Sequence, residues 1–170
     1  MKKFETSKLK RLIRRSKPAA ASSATAIPAI LHIDDDPNDT SLLAAAARTA
    51  GLKLDLHNVE DGEDAIAYLS GAGRYADRFE FPVPSLVLLD LKMPRATGFE
   101  VLRWIREHSD LGHLPVVVLS GSDLQEDVRR AYDVGANSYL IKPIGFEALV
   151  TMVSNLSKVW LSALTQAHPA

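Results

Sequence analysis

Four groups of polar residues stand directly behind short apolar runs. The acids Asp34, Asp35 and Asp36 follow AILHI, Asp90 follows LVLL, Ser120 follows VVVL, and Lys142 with Pro143 follows SYLI. Runs of this kind read as strands covered on both faces. Packing does not explain carboxylates at their ends, because an unpaired buried charge costs several kcal/mol or is lost through a pKa shift. A hard divalent cation does explain them. Magnesium takes a few carboxylate oxygens, keeps waters, and shares its remaining positions with phosphate oxygens. Asp36 stands apart, since it precedes Pro37 and reads as a helix N-cap rather than a third ligand.

The elements that must position these residues alternate along the chain. Strands are expected over Ala29 to Ile33, Leu52 to Val59, Ser85 to Leu89, Leu114 to Leu119 and Ser138 to Ile141. The second carries Leu52, Leu54 and Leu56 against Lys53, Asp55 and His57. Between them lie helical patterns. One opens at Pro37 and ends at Gly51, with Leu43, Ala46, Ala47 and Ala50 on one face; another, capped by Asp61, carries Ala65, Ile66 and Leu69. A third covers Gly98 to Glu107. A fourth starts with a capping-box-like Asp123 and Glu126 and bears Leu124, Val128, Ala131 and Tyr132. The last runs from Phe146 into the 160s with Leu149, Met152, Val153, Leu156 and Trp160 as its core stripe. Gly71 to Pro84 reads as a loop. Five β-α repeats imply an α/β fold with a parallel sheet and helices on both faces, because each parallel connection needs a crossover. Ligands in such sheets bind beyond the carboxyl ends of the strands, where the four polar groups fall.

Composition sets the outer bounds. The chain has 170 residues, 46% hydrophobic and 24% charged, as expected for one globular domain with a tail. It holds no cysteine, which excludes disulfides, thiolate zinc sites and cysteine nucleophiles and fits a cytoplasmic protein. No apolar run approaches a membrane span, and no secretory signal is read at the basic N-terminus. The net charge of −1 divides unevenly. Residues 1–17 carry eight Lys or Arg and the single acid Glu5, a net +7, which leaves 12 basic and 20 acidic residues, or −8, for the rest. Residues 1–28 are expected to form a basic arm and a Pro/Ala/Ser/Thr linker, 29–165 the domain, and 166–170 a tail.

Residues 29–160 resemble the receiver domains of response regulators in two-component signalling. The stretches that carry the resemblance are ILHIDDDP, LVLLDLKMPRATGFEVL, PVVVLSGSD and GANSYLIKP. The long loop GAGRYADRFEFPVP and the segment EDVRRAYDVGANSYLIKP are similar to single-domain regulators that partner phytochrome-type histidine kinases. The resemblance implies a flavodoxin-like, doubly wound five-stranded sheet in the order 2-1-3-4-5. It implies that Asp90 is the phosphoacceptor and forms an acyl phosphate. Asp34 and Asp35 become the acidic pair around Mg2+, with Asp35 the direct ligand and the Lys92 carbonyl completing the protein's share. Lys142 pairs with the carboxylate and then with a phosphate oxygen, and Ser120 hydrogen-bonds the phosphoryl group. Tyr139 is the aromatic that changes rotamer as Ser120 moves, and Lys142–Pro143 is expected to be cis. The implied partner is a sensor histidine kinase or a phosphotransfer protein. With roughly ten residues after the last helix, output is expected through association or onward relay.

The chain also departs from the family pattern. His32 stands where an aliphatic residue is usual, Ser120 where Thr is common, and Gly121 where Ala is common. Lys92 and Ser122 occupy positions that tune the lifetime of the phosphorylated state. His32 reads as a satisfied core histidine, and His57, His108, His113 and His168 show no metal spacing. Trp104 and Trp160 read as packing or interface residues. Val159, Leu161 and Leu164 fit either core or the face of a homodimer. The basic arm reads as a solvated tail, or as an amphipathic helix with Phe4, Leu9, Leu12 and Ile13 on one side. Two other functions remain in view. A phosphohydrolase with an aspartyl nucleophile is disfavoured, because its general acid would stand where Lys92 does. A binding module that never receives phosphate would have no use for the complete acid, Ser and Lys set.

Overall fold

The computed structural model describes residues 27–93 and 97–161. Residues 1–26 of the expected arm, Leu164, His168 and the tail lie outside them. Five parallel strands form one sheet: β1 (Ala29–Ile33), β2 (Asp55–Val59), β3 (Leu86–Leu89), β4 (Val116–Ser120) and β5 (Ser138–Ile141), in the order β2-β1-β3-β4-β5. The helices are α1 (Pro37–Thr49), α2 (Gly62–Ser70), α3 (Gly98–Glu107), α4 (Gln125–Val134) and α5 (Phe146–Leu156), and α5 runs on into a π turn, Ser157–Leu161.

The period-2 alternation of strand side chains divides the core into two layers. Leu31, Ile33, Val87, Leu89, Val116 and Val118 face the layer that also holds α2 and α3 residues such as Leu69, Leu102 and Ile105. Ile30, Leu86, Leu88 and Val117 face the opposite layer, with Leu43 and Ala46 of α1 and Val153 of α5. β1, β3 and β4 are buried along their whole length, so the three strands that carry acids and hydroxyl at their ends are the most rigidly held.

Several boundaries differ from those expected. β2 begins at Asp55, not Leu52; Leu52, Leu54 and Leu56 instead pack, partly buried, on the α1/α5 layer. The capping box expected at Asp123 and Glu126 does not form, and α4 starts at Gln125 with Leu124 as N-cap and no side-chain cap bond. The first-turn acid Asp127 is engaged from outside the helix, accepting from Ser122 Oγ at 2.5 Å. Leu124 and Tyr132, expected on the buried stripe of α4, are both exposed. A reciprocal cap appears on α3 instead, where Glu100 Oε2 accepts from the Thr97 N–H at 2.7 Å. The Gly71 to Pro84 loop contains a 3-10 turn, Gly73–Tyr75, and is pinned by Arg78, which donates to the carbonyls of Tyr68, Leu69 and Phe81.

Two positions hold the scaffold, and only the first bears on the placement of Asp90. Gly98 opens α3 so close to β3 that a Cβ there would lie 2.2 Å from the Asp90 carbonyl oxygen. On the far side of the domain, Arg106 reaches from α3 to the Gly135 and Leu114 carbonyls and to Asn137 Oδ1, all at 2.8–2.9 Å. Asn137 Oδ1 also accepts from the Val116 N–H, so this cluster ties the start of β4 to the turn before β5.

Candidate functional site

Asp34 follows the last residue of β1 and is fully buried. Its Oδ1 accepts from the Asp36 N–H at 3.0 Å, and its Oδ2 accepts from Lys142 Nζ at 2.8 Å, with His32 Nε2 3.4 Å away. Burial pushes this carboxyl up, but the hydrogen bonds from His32, Lys142 and Asp36 outweigh it and hold the group at about 2. Asp34 is therefore ionised at neutral pH. Asp36, as expected, caps α1, its side chain accepting from the Asn38 N–H at 2.8 Å.

Asp90 stands at the end of β3, buried, with its backbone N–H donating to Ile33 O at 2.9 Å. Its Oδ1 accepts from the Lys92 N–H at 3.1 Å and its Oδ2 from Lys142 Nζ at 2.8 Å. Asp35 is exposed at the rim. Oxygens of Asp34, Asp35 and Asp90 lie within 4.8 Å of one another, a set of hard donors that fits a hard divalent cation and suits no soft one.

Lys142 arrives from β5 and joins the acids. Beyond Asp34 and Asp90 it donates to Asp39 Oδ2 at 2.7 Å. Burial lowers its pKa, but the hydrogen bonds it donates to Asp34, Asp39 and Asp90 win and hold it above the ordinary lysine range. The peptide bond before Pro143 is trans, as is every described peptide bond, so the cis Lys142–Pro143 bond expected from the resemblance is absent. The three carboxylates aim the lysine instead.

Ser120 is fully buried at the end of β4. Its carbonyl accepts from the Lys142 N–H at 2.8 Å, so the two candidate site residues share one rung of the sheet. Tyr139 of β5 is buried, and its hydroxyl donates to Ser122 O at 2.8 Å. Burial raises its pKa, and hydrogen bonding to Ser120 partly offsets this. Ser120, Ser122 and Tyr139 thus form a second cluster beside the acids.

Two features had little or no signal in the chain. Asp39 sits in the first turn of α1, where an acid reads as a partner of the helix dipole. His32 was legible as a satisfied core histidine, but not the chain it belongs to: its Nδ1 lies 3.0 Å from Thr40 Oγ1, which donates to Asn58 Oδ1 at 2.9 Å. His32, Thr40 and Asn58 link β1, α1 and β2 beneath Asp34.

A doubly wound sheet with three acids, a lysine and a hydroxyl at its carboxyl edge is the architecture of a phosphoacceptor module. The chain belongs to the response regulator receiver domain family, whose model matches residues 30–154. It is a two-component phosphoacceptor domain. Response regulator Rcp1 of Synechocystis is 35% identical over 136 residues, covering 80% of this chain and 90% of Rcp1. The Mn2+-bound form of Rcp1 superposes with a TM-score of 0.71 over 79% of this chain and 94% of its own. The phosphorylated cyanobacterial phytochrome response regulator RcpA is 34% identical, with a TM-score of 0.74 over 81% of this chain and 96% of RcpA. The probable methanogenesis regulatory protein FilR2 of Methanothrix harundinacea is 37% identical over 83% of this chain and 88% of FilR2. Among the described residues, no helix is long and apolar enough to cross a membrane.

Proposed function

We propose that this chain is a cytoplasmic signalling switch whose Asp90 accepts a phosphoryl group from a sensor histidine kinase. One observation carries the reading: Lys142, 52 residues from Asp90 in sequence, places its ammonium 2.8 Å from Asp90 Oδ2 beside a gathered trio of acids. Asp34, Asp35, Asp90 and the Lys92 carbonyl would hold Mg2+. When bound, the ion neutralises charge on the equatorial oxygens of the transferring group. An Asp90 oxygen attacks phosphorus, a P–O bond forms, the P–N bond of the donor phosphohistidine breaks, and its electron pair stays on the imidazole nitrogen. Lys142 supplies positive charge to the phosphoryl oxygens, and Ser120 donates its hydroxyl to one of them. Movement of Ser120 frees space beside Tyr139, whose change of rotamer alters the outer face of β5 and α4.

A phytochrome-type kinase is the partner suggested by the likeness to RcpA, a phytochrome response regulator. A phosphotransfer protein would use the same pocket, and a homodimer is a further proposed assembly. The protein turns over no separate substrate in this reading. The position two residues after Asp90, where a phosphohydrolase would place a general acid, is Lys92, whose N–H is spent on Asp90 Oδ1.

Incubating the folded protein with Mg2+ and acetyl phosphate should add one phosphoryl group, seen as a mass increase. Asp90→Asn should take no label, and chelation of the metal should suppress labelling of the unaltered chain. Folded protein that gains no phosphoryl group under these conditions would overturn the reading.

A further inference from the structure

Lys142 has three N–H donors and all three are spent on carboxylates: Asp34 Oδ2 at 2.8 Å, Asp90 Oδ2 at 2.8 Å and Asp39 Oδ2 at 2.7 Å. An ammonium offers no fourth donor. Asp34 and Asp90 belong to the trio whose oxygens gather for a cation; Asp39 does not. A phosphoryl oxygen arriving at Asp90 can therefore reach the lysine only if one of the three bonds is given up.

The three bonds are not equally easy to give up. Asp34 is 1% exposed in its side chain, and losing its lysine would leave a buried charge with only His32 and the Asp36 N–H beside it. The bond to Asp90 weakens only after that carboxylate has been phosphorylated, too late to help the incoming donor bind. The Asp39 side chain is 35% exposed, so water replaces the lysine there at small cost.

We infer that Asp39 is a tether that competes with the incoming phosphoryl group for the third N–H of Lys142, and so sets how readily the resting protein accepts a phosphodonor. The inference rests on the reading of Asp90 as phosphoacceptor. It assigns Asp39 a positioning role, acting through Lys142, with a distinctive sign: removing it should speed the first encounter with the donor.

The test is the rate of labelling by acetyl phosphate in the presence of Mg2+, followed against donor concentration in the full chain. Asp39→Asn keeps the shape and removes the charge, and Asp39→Ser removes the reach as well. Both should lower the half-saturating donor concentration about three- to tenfold, since a charge-assisted hydrogen bond is exchanged for a weaker one or none. The maximal rate should change less than twofold. Asp36→Asn is the control for general charge, because Asp36 is exposed, caps the same helix and keeps a capping side chain when changed. It should match the unaltered protein. Folded Asp39 variants with an unchanged or raised half-saturating concentration would overturn the tether. So would an equal gain in Asp36→Asn, which would make the effect one of net charge. Unaltered protein that takes no label overturns the phosphoacceptor reading itself, and the tether with it.

Discussion

His32 Nε2 lies 3.4 Å from Asp34 Oδ2, and the opposite ring nitrogen is 3.0 Å from Thr40 Oγ1. The ring thus braces the buried carboxylate of a proposed cation site from below, and is itself held by α1. Partners of this kind orient metal ligands and typically change metal affinity when removed. His32→Leu restores the aliphatic side chain usual in the family and should weaken Mg2+ binding on the order of tenfold. Thr40→Val, which frees the ring but keeps it, should act in the same direction and less strongly. Calorimetric titration with Mg2+ checks both; equal affinities in all three folded proteins would remove the brace from the account.

Gly98 is a matter of space. A Cβ there would sit 2.2 Å from the Asp90 carbonyl oxygen and 2.8 Å from Leu91 Cα, both backbone atoms. Gly98→Ala should therefore cost about 2 kcal/mol or more, in the range of overpacked sites, and should slow labelling by shifting the peptide of Asp90, the proposed phosphoacceptor. Urea unfolding and phosphorylation rate read the two effects. A fully stable Gly98→Ala protein would mean that α3 can retreat from β3 freely.

Arg106 supports the scaffold from the side away from the acids. Burial lowers its pKa, yet its guanidinium meets only neutral oxygens: the Gly135 and Leu114 carbonyls at 2.9 Å, the Gly112 carbonyl at 3.3 Å and Asn137 Oδ1 at 2.8 Å. Arg106→Met should leave these acceptors without donors and cost about 2–4 kcal/mol. The fraction that remains folded should take label at the normal rate. Denaturation and labelling of the same sample separate the effects, and a change in rate with no change in stability would contradict this assignment.

Stability at high pH should carry the signature of Tyr68. Burial, with the charge of Asp55, raises its phenol from 10.0 to about 12. The folded chain therefore keeps this proton in a range where the unfolded chain releases it. The contribution is whole below pH 10 and is lost as pH rises from there through about 12. Tyr68→Phe should flatten that part of the decline, while losing the bond to Pro82 O should cost about 1 kcal/mol at neutral pH. Unfolding midpoints measured from pH 8 upward compare the slopes; identical slopes would show that other groups carry the decline.

Much of the domain was legible along the chain because its strands are simple. β1 and β5 match their expected limits, and α3 covers Gly98–Glu107 as read. β2 was misread at its start because Leu52 and Leu54 alternate like strand residues. They alternate to reach the α1/α5 layer from a connecting segment instead. The capping box at Asp123 was a local pattern overruled by the Ser122–Asp127 contact. Asp34, Asp90 and Lys142 could be expected together from their places behind apolar runs. Asp39 could not, since its role depends on a lysine 103 positions away whose third donor is counted only once the other two are placed.

The rung between β4 and β5 has a mechanical consequence. Ser120 O and the Lys142 N–H are linked at 2.8 Å, so the hydroxyl arm and the ammonium arm are mounted on one crossbar. A shift of either backbone toward the pocket drags the other's mounting. Any force felt at one arm is shared as a displacement of the whole edge, and sequence changes near either residue will retune the pair as a single part.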